Sequence, residues 1–328
     1  MRTVRSGIAV SLLCASLAWQ GPTTLQASDP LLRPFADYED TGFVFMSAFD
    51  AFGANDLKRT IAARLPPNVT LILYGYSNAP ADRQKVLADY SRFVPAERLR
   101  YVAFKRARNM FWSRDAMPVP LLDETGALAV TDAQYFGGFE PDAAVAALFG
   151  ARLISHPFRF EGGNLMANHV GDCVIVESRH TRQMTDALFA GQYGCRVVTR
   201  LPKRGGIGHI DERARFVNAT TLVSDTDEYV DAFSRRGFTA VRLPRPRAGN
   251  ETYVNVFLVN GTAFVPQFGR AEDAVAMDVY RRLGFAVVGV AAKSLAARGR
   301  GLLHCLTMNY PRVALAADAG WPVPPLLP

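Results

Sequence analysis

The feature that most limits how this chain can fold is its internal repetition. An apolar strand-like stretch, a polar link, a helix-like stretch and a second apolar stretch recur five times. The units open near Phe43, Leu128, Val174, Thr221 and Ala263. Their helical stretches cover residues 55–64, 142–149, 182–189, 228–235 and 273–283, and their second strands fall at 69–73, 153–154, 197–198, 240–241 and 286–288. Val130, Val176, Val223 and Val265 hold equivalent places, spaced 46, 47 and 42 residues apart, and the first gap is longer. Ala274, Met277, Val279, Tyr280 and Leu283 form an apolar stripe at helical spacing. Gly150, Gly194, Gly237 and Gly284 each follow a helical stretch, as helix-terminating glycines do. A plain α/β sheet explains the alternation of strand and helix but not the regular interval. A period near 45 residues indicates a radial or solenoid α/β architecture.

The uncommon polar residues collect after the second strand of each unit. In order these are Trp112-Ser113-Arg114-Asp115, Glu161-Gly162-Gly163-Asn164, Gly208-His209-Ile210-Asp211, Glu251-Thr252-Tyr253-Val254-Asn255 and Gly301-Leu302-Leu303-His304-Cys305. If the units surround an axis, these loops meet there, bringing together one Cys, one His and several carboxylates. A thiolate is a strong nucleophile that needs a nearby base or positive charge. A histidine can protonate a leaving group and then activate water. Paired carboxylates bind a planar cation such as guanidinium. A cysteine protease has no use for three carboxylates around its thiol, so the excess points to a cationic substrate.

Taken together, these motifs resemble the ordered signature of agmatine deiminases and bacterial-type peptidyl-arginine deiminases, within the guanidine-group-modifying (pentein) superfamily. The likeness runs from about Tyr38 to Tyr310, with one motif per repeat. It implies a five-bladed, pseudo-symmetric ββαβ propeller with the active site on the central axis. It also implies hydrolysis of a guanidinium to a ureido group and ammonia through a covalent thiouronium, with no metal or organic cofactor. By the resemblance Cys305 is the nucleophile and His209 the general acid and base. Asp115 and Asp211 clamp the guanidinium nitrogens, and Glu161 pairs with His209 or the substrate. Trp112, Asn164 and Asn255 are candidate substrate-binding residues, Trp112 as a lid over the apolar part of the substrate. Each also has a plain structural reading. Cys305 and His209 can be core residues, Asp115 an ion-pair partner of Arg114, Asp211 and Glu161 turn caps, Asn255 a strand-edge residue. Met117 before Pro118, Leu302-Leu303 before the Cys, and Phe136-Gly137-Gly138 without arginines depart from the relatives' pattern. The missing arginines leave nothing to grip a peptide's C-terminal carboxylate.

Two other activities use the same residues or the same scaffold: an amidinotransferase, in which an amine replaces water, and a non-catalytic binding protein. Gly-x-Ser-x-Gly and P-loop motifs are absent, so a serine hydrolase or nucleotide-binding role has no support. His156, His169 and His180 have no metal-ligand spacing.

Arg2 and Arg5 precede an apolar stretch at residues 7–19, which reads as a signal peptide spanning residues 1–27; a retained anchor helix is the alternative. The catalytic domain is then 28–328, exported to the periplasm or secreted, with no membrane insertion after cleavage. The net charge of +7 falls to roughly +5 without the leader, and no run of basic residues suggests nucleic-acid binding. Export permits a Cys173–Cys195 disulfide, two buried thiols being the alternative, and either way Cys305 is left over.

Overall fold

The 45-residue period corresponds to five small sheets in a computed structural model, which describes residues 31–316 except 109, 136, 137, 247 and 248. The expected signal segment and Phe136-Gly137 therefore lie outside the described residues. Each sheet contains an antiparallel strand, a central strand, a helix and a parallel return strand, which is the ββαβ blade. In the third unit these are Met166–Ala167, Asp172–Val176, Asp186–Tyr193 and Val197–Leu201. The fourth runs Ala214–Phe216, Thr221–Ser224, Asp227–Arg235 and Thr239–Arg242. The fifth runs Phe257–Val259, Thr262–Gln267, Glu272–Arg282 and Ala286–Ala291. The second, Val119–Asp123, Leu128–Thr131, Asp142–Phe149 and Arg152–Ile154, gains an edge strand from Leu32–Pro34.

The first unit is completed from the other end of the chain. Thr307–Pro311 pairs antiparallel with Thr41–Ser47, which pairs parallel with Thr70–Gly75. This closes the ring of blades and gives a five-bladed propeller. An additional helix, Pro80–Tyr90, and strand, Leu99–Ala103, account for the longer first interval. Thr41–Ser47 is buried along its whole length, because it carries packed residues on both faces.

Helix ends follow the glycine signals. Gly150 and Gly194 adopt φ of +60° and +66°, where a side chain would be strained. The helix expected at 182–189 starts later, at Asp186. Residues 181–183 form a tight turn instead, and Thr185 caps the helix by accepting from the Leu188 N–H at 3.2 Å. Cys173 and Cys195 form a disulfide that joins the central strand of the third unit to the link after its helix.

Every motif leads directly into the antiparallel strand of the next blade. Residues 111–115 precede Val119, 161–164 precede Met166, 208–211 precede Ala214, 251–255 precede Phe257, and 301–305 precede Thr307. These crossings are held together by one carboxylate. Asp37 accepts from Arg114 at 3.0 Å and Arg215 at 2.8 Å and lies 2.9 Å from His304 Nε2. Burial opposes ionisation of Asp37, but Arg114, His304 and Arg215 outweigh it and hold its pKa well below the usual range. A depressed carboxylate contributes stability above its unfolded pKa and loses it as pH falls through the folded one, so the contribution is complete at neutral pH.

Two outcomes are expected. Asp37→Asn should destabilise the fold by about 3–5 kcal/mol, since it leaves two buried arginines underpaired, and its urea midpoint measures this. Removing the disulfide with Cys173→Ala/Cys195→Ala should cost about 3 kcal/mol in the same titration.

Candidate active site

The crossings bring Asp115, Glu161, His209, Asp211, Asn255 and Cys305 together. Asp115 sits on the short helix Ser113–Ala116 and is buried. Its Oδ1 accepts from the Gly163 N–H at 3.0 Å. The Arg114 beside it does not pair with Asp115. It turns to Asp37, Asn309 and the Thr307 carbonyl. The ion-pair reading of Asp115 with its neighbour is thus replaced by two separate jobs for adjacent residues.

Glu161 Oε2 lies 2.9 Å from His209 Nε2, while His209 Nδ1 lies 3.4 Å from Asp115 Oδ1 without hydrogen-bond geometry. Burial works against a charged His209. Asp115 first, then Glu161 and Asp211, overcome it and hold its pKa well above the ordinary histidine value. Burial likewise opposes charge on Glu161, and the hydrogen bond and charge of His209 bring its pKa down.

Asp211 Oδ2 is 2.7 Å from His304 Nδ1 and accepts from Cys305 Sγ at 3.5 Å. Its Oδ1 is buried with no partner. Burial alone would raise Asp211; the hydrogen bond and charge of His304, then His209 and Arg215, keep its pKa below the usual value. Burial, then Arg114 and Arg215, push the His304 pKa down against the pull of Asp37 and Asp211. Cys305 is buried and its thiol pKa is pushed well above 9, by burial first and then by Asp211 and Asp115. Burial and the two carboxylates thus favour the protonated thiol of Cys305.

A glycine stands where these groups meet. A Cβ on Gly163 would lie 2.6 Å from Asp115 Oδ1, 2.9 Å from His209 Nδ1 and 3.1 Å from Asp211 Oδ2. No side chain fits there. Two buried atoms without hydrogen bonds, Asp211 Oδ1 and His209 Nδ1, belong to residues that meet at this glycine.

The two asparagines are engaged with the protein. The Asn255 amide donates to Cys305 Sγ at 3.2 Å and to the Asp211 carbonyl at 3.2 Å, and its oxygen accepts from the His304 N–H at 3.0 Å. Asn164 donates to the Val176 carbonyl and accepts from the Val176 and Ile210 N–H groups. Its amide therefore anchors the turn that carries His209 and Asp211, rather than pointing to a free ligand position. Trp112 is half-buried and stacks on Phe52, with centroids 5.7 Å apart and planes 17° apart. A Cβ on Gly301 would meet Trp112 at 2.8 Å and the Cys305 Cβ at 3.2 Å, so the indole forms a wall beside the thiol. Among the described residues no cluster of three or more His, Cys, Asp or Glu could hold a metal ion.

Arg215 carries no sequence signal, and Asp37, Gly163 and His304 stand out only as members of the stretches 37–40, 161–164 and 301–305, with no site role of their own. Gly163 had a signal in its Gly-Gly pair. Asp37 and Arg215 gave no sign of their pairing, because their partners lie far away in the chain. Tyr135 is a further neighbour. Its hydroxyl pKa is raised by burial and then by Asp115 and Glu161.

A family model described as Porphyromonas-type peptidyl-arginine deiminase matches residues 56–311. A Streptomyces coelicolor protein named "Putative agmatine deiminase" is 25% identical over 61% of this chain and 76% of its own length. The agmatine deiminase of C. jejuni has a TM-score of 0.73 at 16% identity, covering 88% of this chain and 99% of that one. A Porphyromonas gingivalis structure described as a "Putative Arginine Deiminase" gives 0.69 at 21% identity, covering 86% and 98%. The structural likenesses carry the propeller fold, and the family match spans most of the blades that make it. The chain belongs to the Porphyromonas-type peptidyl-arginine deiminase family and, with it, to the hydrolases that act on C–N bonds of linear amidines.

Proposed function

We propose that the protein hydrolyses the guanidinium of an arginine-type substrate, peptidyl-arginine or agmatine, to a ureido group and ammonia, with Cys305 as nucleophile. The observation that carries this reading is the convergence around Gly163 of two buried carboxylates, one with an unpaired oxygen, and a histidine nitrogen without a hydrogen bond. A guanidinium supplies the donor that Asp211 Oδ1 lacks, in a planar arrangement suited to the two carboxylates.

Binding of this cation offsets the negative field that holds the Cys305 thiol protonated, so the substrate promotes its own attack. Cys305 gives up its thiol proton to solvent, its Sγ electron pair forms a bond to the guanidinium carbon, and one C–N π bond opens onto nitrogen, giving a tetrahedral adduct. His209, charged because of Asp115 and Glu161, gives its proton to the departing nitrogen. The C–N bond breaks, ammonia leaves, and a thiouronium remains. Neutral His209 then takes a proton from water, whose oxygen attacks the same carbon. The C–S bond breaks with its electron pair returning to sulfur, the added oxygen loses its remaining proton, and the thiolate and the ureido product result. Glu161 holds Nε2, so that Nδ1 is the nitrogen turned inward. Asn255 steadies the sulfur through its 3.2 Å contact. We place the enzyme outside the cytoplasm. Arg2 and Arg5 before an apolar stretch, and a disulfide that suits an oxidising compartment, support this.

Three outcomes are expected. Ammonia and ureido product should appear from at least one of agmatine, free arginine or an arginine peptide, and Cys305→Ala should abolish both. Release only when an amine acceptor is supplied would indicate an amidinotransferase, and no product from folded protein would indicate a binding scaffold. Gly163→Ala should lower kcat/KM by about 100-fold or more, as expected when reacting groups are displaced by an ångström, with an unchanged circular dichroism spectrum. Glu161→Gln removes a charge that supports protonated His209. The alkaline limb of its kcat/KM profile should therefore move to lower pH, and an unmoved limb would assign the proton donor elsewhere.

A further inference from the structure

Cys305 stands at one end of a sheet edge that continues outward. Thr307 pairs with Met46, Ser47 with Tyr74, and Gly75 with Ala103. The residues just before Thr307 and those just after Ser47 and Gly75 therefore leave the same edge of one four-stranded sheet. Strands are about 4.8 Å apart, so the loop after Gly75 begins roughly 10 Å from the nucleophile's strand. That is about three residues of extended chain.

A groove of about 590 Å³ opens at this place, lined by Ala48, Phe49, Tyr76, Ser77, Asp82 and Tyr101 among others. Its size is that of a ligand site. Phe49 and Tyr76 are 36% and 58% exposed, large side chains left open to solvent within the groove. Its charges are largely matched. Arg59 is held by Asp56 and Asp89, and Asp50 and Asp82 lie on the same wall as Lys85. The rings, not a net charge, distinguish it.

The loop between groove and catalytic pocket is held in a costly conformation. Lys58 is fully buried and donates to the carbonyls of Ser47 at 3.0 Å and Phe49 at 2.8 Å, with its ammonium 5.6 Å from the Phe111 ring centroid. Phe52 has φ of +57°, a conformation that bulky residues rarely adopt. Strain of this kind persists where the surrounding structure enforces it and clusters at ligand clamps. The result is a loop that offers Phe52 to Trp112 on the pocket side and Phe49 to the groove on the other.

We propose that this groove is a second subsite, which takes an apolar or aromatic residue beside the target arginine of a peptide substrate; the assignment rests on the deiminase reading above. The guanidinium enters the axial space by Gly163, the Phe52–Trp112 stack borders the methylene arm, and the neighbouring peptide residue lies on Phe49 and Tyr76. The substrate class is thereby a peptide or protein with its arginine in an apolar context, rather than a free aminoalkyl guanidine.

The test compares agmatine with two blocked peptides carrying an internal arginine, one flanked by glycines and one by phenylalanine or leucine. Wild type should prefer the apolar flank by about tenfold in kcat/KM, the discrimination expected of a modest apolar pocket. Tyr76→Ser and Phe49→Ser should erase that preference and leave agmatine turnover unchanged. Equal rates for the two peptides, or an equal loss on agmatine, would overturn the subsite. Binding of the same peptides to Cys305→Ala provides a readout independent of turnover. Flank-dependent affinity of this variant, with no product from wild type on any substrate, would fault the deiminase reading and keep the subsite, and flank-independent affinity would reject the subsite.

Discussion

A single carboxylate holds the centre of this molecule together. Asp37 lies between two arginines and a histidine, Arg114 and His304 from two crossings of the propeller and Arg215 from the strand that follows a third. Arg215 is fully buried, and its other contact is the Val254 carbonyl. Two guanidinium groups cannot stay in a core without a counter-charge. Asp37 supplies it from the segment between the first edge strand and the first blade. The same residue reaches His304 Nε2, and His304 Nδ1 reaches Asp211. A structural ion cluster is thus linked by one imidazole to the carboxylate beside the nucleophile. Changes at Asp37 will therefore affect both stability and the orientation of Asp211.

The electrostatics of the pocket run against those of an ordinary reactive cysteine. Reactive thiols usually sit near positive charge, which favours the thiolate. Here burial, Asp211 and Asp115 favour the thiol. On the deiminase reading proposed above, the missing positive charge arrives with the substrate. The arrangement also gives selectivity, since a neutral or anionic molecule in the same space neither satisfies Asp211 Oδ1 nor offsets the field around the sulfur. His209 is different: its charge is built in, through Asp115 and Glu161, before any substrate binds.

The architecture was legible in the sequence because it repeats. The valines at 130, 176, 223 and 265 all lie in the second strand of a ββαβ blade. The polar motifs were legible for the same reason, since equivalent loops of a ring converge. Closure of the ring was not. Thr307–Pro311 is fully buried and belongs to the first blade, yet it lies at the far end of the chain and carries no sign of its partner. Nor was the Asp37 cluster visible, because its partners are 77, 178 and 267 residues away. Local spacing reports neighbours on one element; it carries no information about which distant side chain shares a buried charge. The early start given to the third helix has a simpler origin. Arg182 and Gln183 suit a helix by propensity, but Thr185 provides a cap three residues later, and the cap decides the boundary.

Asn164 and Asn255 explain how the site can leave polar atoms unpaired. A buried donor or acceptor without a partner costs about 1–3 kcal/mol, and a flexible site would relax to recover it. Asn164 ties the His209–Asp211 turn to the Val176 strand with three bonds, and Asn255 ties Asp211, His304 and Cys305 to one another. With those backbones fixed, Asp211 cannot turn its second oxygen toward another donor. Gly163 prevents the protein from filling the gap itself. The unsatisfied atoms are consequently available to a ligand, and on the deiminase reading proposed above the energy that a guanidinium recovers by pairing with them favours the one ligand whose charge also activates the thiol.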